Sequence, residues 1–129
     1  MPTKLKDKTV LIVEDDADIR TFASRVLELE GYRVLRAETG HETLRLMRES
    51  KVNLVLLDLR LPDDDGWVIL EQIKSSPEIS ATPVIVFTAS VGALQQDKAL
   101  AMGAADYLVK PLSATVLKDA VARALRRKR

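Results

Sequence analysis

Four stretches of this chain set polar side chains directly after apolar runs. Glu14-Asp15-Asp16 follow Thr9-Val10-Leu11-Ile12-Val13, Asp58 follows Leu54-Val55-Leu56-Leu57, Thr88 follows Val84-Ile85-Val86-Phe87, and Lys110 follows Tyr107-Leu108-Val109. Short runs of this kind read as strands buried on both faces, as in a parallel sheet covered by helices. In parallel, they would bring all the polar residues to one edge, beyond the carboxyl ends, where open α/β sheets bind their ligands. Carboxylates crowded together there raise one another's pKa unless a cation neutralises them. Hard oxygen donors on a rigid edge suit Mg²⁺, which takes few protein carboxylates and keeps water or phosphate oxygens in its other positions. A lysine ammonium and a threonine hydroxyl opposite would complete a pocket for a phosphoryl group. An aspartate so placed can itself be the nucleophile that accepts it. Taken alone, a strand-end Asp more often caps a turn, so the weight falls on the four stretches together.

The elements that must hold these residues alternate along the chain. Asp16 is placed to cap a helix with Ile19, Phe22, Val26 and Leu29 at helical spacing, and Gly31 to stop it. Arg33 to Ala37 has arginines flanking Val34-Leu35, a composition for a sheet edge. Thr39 and Glu42 make a capping box for a helix through Leu44 and Met47. Pro62 to Gly66 reads as a loop. Asp65 then caps a helix carrying Ile69 and Ile73, ended by Ser75-Ser76-Pro77. The weakest helix runs from Val91 to Met102, because Gly92 interrupts it and Leu94, Leu100 and Met102 form a ragged stripe. Loose packing makes it a candidate for movement. Ser113 opens a last helix with Leu117, Val121 and Leu125 on one face. Strand and helix alternate five times, which implies an α/β fold with a doubly wound parallel sheet and right-handed crossovers.

At 129 residues the chain is expected to form a single domain. Its 20 basic and 19 acidic residues give a formal charge of +1, a balance with no general pull toward nucleic acid or anionic membrane. The absence of cysteine rules out a disulfide framework and a thiolate metal site and fits a reducing compartment. No signal-peptide pattern and no run of about eighteen apolar residues is present, so the expected location is cytoplasmic.

Several local signals have simpler readings. Asp63-Asp64-Asp65-Gly66 suggests a calcium loop, but the first and twelfth positions would be Leu61 and Gln72, where carboxylates are needed. It reads as a solvated loop and helix cap. His41 falls in the first turn of a polar-faced helix and reads as surface. Trp67 is expected to pack at the start of its helix. Arg123, Arg126, Arg127, Lys128 and Arg129 sit where a helix dipole favours cations.

The ordered set Glu14-Asp15, Asp58-Leu59-Arg60-Leu61-Pro62 running to Asp65-Gly66, Thr88-Ala89 and Lys110-Pro111 resembles the CheY-like receiver domain of two-component response regulators, over residues from about 8 to about 127. The resemblance implies a flavodoxin-like fold with strand order 2-1-3-4-5 and a phosphoacceptor at Asp58. It implies Mg²⁺ held by Asp15 directly, by Glu14 through water, by Asp58 and by the backbone carbonyl of Arg60. Glu14 is a minor departure, since the family more often has two aspartates at that pair. Thr88 and Lys110 would hold the phosphoryl group, and the Lys110-Pro111 bond is open to the cis form. Tyr107 would be the switch aromatic that becomes buried when Thr88 moves. Arg60 and Ser90 would tune phosphate lifetime, and the length of Arg60 points to slow self-dephosphorylation. The implied partners are a sensor histidine kinase or phosphotransfer protein, an output domain or target on the surface of the fourth helix, fifth strand and fifth helix, and a second copy of the chain. Such a domain is not an enzyme in the usual sense, because it catalyses only its own phosphorylation and dephosphorylation.

Rival functions fit less well. A haloacid-dehalogenase-type phosphatase needs a second Asp two residues after the nucleophile, where this chain has Arg60. A flavin module needs a Ser, Thr and Gly loop after the first strand, where this chain has acids. A binding-only pseudo-receiver has no use for Glu14, Asp15, Asp58, Thr88 and Lys110 together.

Overall fold

The computed structural model describes residues 7–61, 65–89 and 92–126. The elements are β1 (Thr9–Val13), α1 (Ala17–Leu29), β2 (Arg33–Ala37), α2 (Gly40–Glu49), β3 (Leu54–Leu57), α3 (Gly66–Ser75), β4 (Val84–Thr88), α4 (Ala93–Ala101), β5 (Asp106–Val109) and α5 (Ala114–Arg126). All neighbouring strands are parallel, in the order β2-β1-β3-β4-β5. The chain steps from β1 outward to β2 and then back across β1 to β3. Successive connections therefore leave in opposite directions at β1 and β3, which opens a crevice beyond their carboxyl ends.

The apolar runs are continuous because both faces of the central strands are covered. Leu11, Val13, Val55, Leu57, Val84 and Val86 pack with Met47, Ile69, Leu70, Ile73 and Ala99 of α2, α3 and α4. Val10, Ile12, Leu54, Leu56, Ile85 and Phe87 pack on the other face with Ala23, Val26 and Leu27 of α1 and with Leu117, Ala120 and Val121 of α5. The arginines of β2 lie at an edge, as its composition predicts.

The helix boundaries follow from local chemistry. The Asp16 carboxylate accepts from the N–H groups of Asp18 and Ile19, Thr39 Oγ1 from Glu42 N–H, and Asp65 Oδ1 from Trp67 N–H. Each satisfies an amide donor that the first helical turn leaves open. Helix α1 ends where Gly31 takes φ 97°, with Tyr32 N–H donating to Leu27 O and Gly31 N–H to Glu28 O. These are the two bonds of a Schellman motif, which needs the left-handed residue that glycine supplies.

Two expectations are corrected. In α1 the buried side chains are Ala23, Ser24, Val26 and Leu27. Leu29 is 85% exposed and Phe22 41%, since the sheet-facing stripe turns through 23, 26 and 27 and leaves Leu29 on the far side. The weak helix is shorter than its pattern, covering Ala93–Ala101 with Gly92 at its start at φ 136°. Val91 is outside the described residues. No helix among the described residues is long and apolar enough to cross a membrane.

Candidate functional site

The site is set by the register of the sheet. Val13 of β1 pairs with Leu57 of β3, so the next residues, Glu14 and Asp58, leave the carboxyl edge side by side. Their backbones stay tied to the sheet: Asp58 N–H donates to Val13 O at 3.1 Å and Glu14 N–H to Ala37 O at 3.0 Å. Glu14 is 1% exposed and Asp58 4%, whereas Asp15 is exposed. One carboxylate oxygen from each of Glu14, Asp15 and Asp58 lies within 4.8 Å of the other two. Asp16 takes no part, because its carboxylate is committed to the cap of α1.

Lys110 reaches in from beyond β5. Its Nζ donates to Glu14 Oε1 and, at 3.0 Å, to Asp58 Oδ2, and lies 4.9 Å from the Phe87 ring centroid. Its peptide bond to Pro111 is cis. Asp58 Oδ1 accepts from Arg60 N–H at 3.1 Å, and Glu14 Oε2 accepts from Asp16 N–H at 3.0 Å. Two buried carboxylates thus share one ammonium. Burial pushes the Glu14 carboxyl above its ordinary pKa, the charge of Asp58 adds to the rise, and the hydrogen bonds from Lys110 and Asp16 offset only part of it. For Lys110, burial favours the neutral amine, but the hydrogen bonds and charges of Glu14 and Asp58 outweigh it and hold the ammonium above its ordinary value. Three carboxylates converge while Lys110 neutralises only part of their charge, an arrangement of hard oxygen donors that fits Mg²⁺.

Thr88 is the last residue of β4, inside the strand and not just past it, and is fully buried. It pairs with Val109 of β5, and Lys110 N–H donates to its carbonyl at 2.9 Å. Tyr107, paired with Val86 one strand over, is also buried, and that burial pushes its phenol pKa up.

A model of the response regulator receiver domain matches residues 10–122. The chain belongs to the response regulator receiver family. It is 35% identical over 119 residues to the transcriptional regulatory protein AfsQ1 of Streptomyces coelicolor, covering 92% of this chain and 52% of that protein. It is 32% identical to the transcriptional regulatory protein GltR of Pseudomonas aeruginosa, over 93% of this chain and 50% of that one. The receiver domain thus spans about half the length of these relatives. Among solved structures it resembles the receiver domain of NtrX from Brucella abortus, with 30% identity and a TM-score of 0.83 over 92% of this chain and 99% of that one. It also resembles the chemotaxis protein CheY4 of Vibrio cholerae, with 26% identity and a TM-score of 0.86 over 92% and 98%. Five parallel strands in the order 2-1-3-4-5 with five helices are the CheY-like, flavodoxin-like fold expected from the motifs.

Of the residues singled out in the sequence, the receiver domain brings together Glu14, Asp15, Asp58 and Lys110, with Thr88 and Tyr107 on the two strands beyond. The Arg60 side chain is exposed and its backbone pairs with Asp65 in an isolated antiparallel bridge. Ser90, Pro62, Asp63, Asp64 and residues 127–129 are outside the described residues.

Two residues shape the site in ways the sequence did not show. Arg20 Nη1 donates to the carbonyls of Glu14, at 2.9 Å, and Asp15, at 3.3 Å, and the same guanidinium lies 3.7 Å from the Glu38 carboxylate. It braces the acidic turn from one turn inside α1, where only apolar positions had been weighed. Gly66 reads in the sequence as punctuation. A Cβ there would lie 2.4 Å from Leu59 Cα and 2.8 Å from Asp58 O, so α3 begins hard against the backbone that follows Asp58. Glycine immediately after a capping aspartate was the available signal.

Beside Lys110 runs an apolar groove of about 540 Å³ between α1 and the segment after β5, lined by Ile19, Phe22, Phe87, Ala89, Pro111 and Leu112.

Proposed function

We propose that Asp58 is the phosphoacceptor of this receiver domain, taking its phosphoryl group from the phosphohistidine of a sensor histidine kinase or phosphotransfer protein, or from a small phosphodonor. The observation that supports this most is the convergence of Glu14, Asp15 and Asp58 within 4.8 Å under a lysine bonded to two of them. An Asp58 carboxylate oxygen attacks phosphorus in line as the bond to the donor's imidazole nitrogen breaks. Glu14, Asp15, Asp58 and the Arg60 carbonyl would hold Mg²⁺, which supplies positive charge to the equatorial oxygens when bound. Lys110, already at the acceptor, shifts its ammonium onto a phosphoryl oxygen. The Thr88 hydroxyl bonds another, and Tyr107 responds to its movement.

The groove beside Lys110 gives the donor an apolar footing, with Phe22 at its rim. The output reading places an output domain, a target protein or a second copy of the chain on the α4, β5 and α5 surface, where Leu94, Leu100, Val109 and Val116 are exposed. This domain itself contacts neither nucleic acid nor membrane and acts in the cytoplasm. Arg60, exposed two residues after the acceptor, screens the acyl phosphate from water, with Ser90 as the second tuning position. Self-dephosphorylation is therefore slow, and a phosphate half-life of seconds would overturn that assignment.

The test of the acceptor is phosphate incorporation from acetyl phosphate with Mg²⁺, followed by intact mass. Wild type should gain one phosphoryl group and Asp58→Asn none. Equal labelling of both would remove Asp58 from the role.

A further inference from the structure

Helix α4 is held to the body by few contacts. Ala99 is its one buried side chain, while Leu94 and Leu100 face solvent. A second tie is electrostatic: Lys98 Nζ lies 4.3 Å from the centroid of the Trp67 ring. The indole is partly buried against the core shared by α2 and α3, so its position follows the start of α3. That start is fixed to the acceptor. Trp67 N–H donates to Asp65 Oδ1 at 2.9 Å, Asp65 pairs with Arg60, and Arg60 N–H donates to Asp58 Oδ1 at 3.1 Å. Gly66 stands between, its N–H on Leu59 O at 3.1 Å and no room at its Cα. A continuous set of close contacts thus joins the Asp58 carboxylate to a cation on α4.

We infer that Lys98 is a positioning residue for the acceptor loop, acting through Trp67 and the packed Asp65-Gly66 start of α3. The inference rests on Asp58 being the acceptor. Attraction between an ammonium and a ring depends on the cation staying over the ring face. Phosphorylation of Asp58 changes what its Oδ1 can accept, and any displacement of Arg60, Asp65 or Gly66 is passed to the indole. A contact that depends on where the indole lies contributes differently as the loop shifts, so its loss changes the balance between the loop's arrangements. By reciprocity, a partner that takes Lys98 from the ring changes the readiness of Asp58 for phosphate.

Trp67 is the sole tryptophan of the chain, so its emission reads the contact directly. Wild type, Lys98→Gln and Lys98→Arg are compared for emission without ligand and for half-saturation by beryllofluoride with Mg²⁺. Lys98→Gln should change the ligand-free emission and shift half-saturation by beryllofluoride about 2- to 5-fold, the factor a surface cation–ring contact supports. Lys98→Arg, which keeps the cation, should behave as wild type. Unchanged emission, unchanged half-saturation, or an arginine variant that behaves like the glutamine one overturns the inference. A wild type that ignores beryllofluoride, or an Asp58→Asn variant that responds equally, removes the acceptor assignment and this coupling with it. Emission of Lys98→Gln without ligand tells the two failures apart.

Discussion

Glu14 is a carboxylate held almost out of water beside a second one, and its raised pKa means that the folded chain binds its proton more tightly than the unfolded chain does. Between the ordinary value of 4.5 and that raised value, folded molecules carry more protons, so metal-free stability falls as pH rises through the window. Above the raised value the cost is complete. Glu14→Gln mimics the protonated side chain, so in chelator it should be more stable than wild type above the raised value and lose that advantage as pH falls below it. Urea midpoints of the two proteins across that range are the measurement, and parallel curves would count against a costly ionised Glu14. The same variant should gain less stability from added Mg²⁺, because one of the three clustered carboxylates has lost its charge. Lys110 moves in the opposite sense: its contribution is complete below its ordinary value of 10.5 and is lost as pH rises through its higher folded value.

Among the elements, the connection from β3 to α3 is the one whose geometry tolerates least. Replacing Gly66 by alanine drives a methyl group into the backbone of Leu59 and Asp58, and neither is a flexible side chain that could step aside. A loss of about 1–3 kcal/mol is expected from such overpacking, with weaker beryllofluoride binding because the backbone after Asp58 must give way. Thermal melts and titrations check both, and no change in either would show that the loop yields freely. What was legible at this scale divides cleanly. Leu54 to Leu57 announced a strand covered on both sides, and Asp16, Thr39, Asp65 and Ser113 announced helix starts, because those signals are local. The acidic pair, Asp58 and Lys110 could be grouped because parallel strands deliver their ends to one edge. The bracing by Arg20, the close packing at Gly66 and the Lys98–Trp67 contact were not legible, since each depends on where a helix comes to lie against another part of the chain. Phe22 and Leu29 were misjudged for a related reason: helical spacing identifies a stripe, but only the packed sheet decides which side of it is covered.

Taken as a whole, the molecule is a sheet whose inner strands are sealed on both faces, carrying its chemistry on one rim and a loosely attached helix beside it. Residues of β1, β3 and β4 are almost all fully buried, and close-packed interiors of this kind move as a unit. Their amides should therefore exchange with deuterium only through global unfolding, whereas those of α4 exchange through local opening. Deuterium labelled into the protein with and without beryllofluoride and Mg²⁺ should register as slowed uptake at Asp58 to Arg60 and in the first turn of α3, and as altered uptake in α4. The inner strands should keep one common, slow rate that shifts only with total stability. A protein built this way writes its signalling history in the peptides at its rim and leaves the centre as an internal clock against which the rest can be timed.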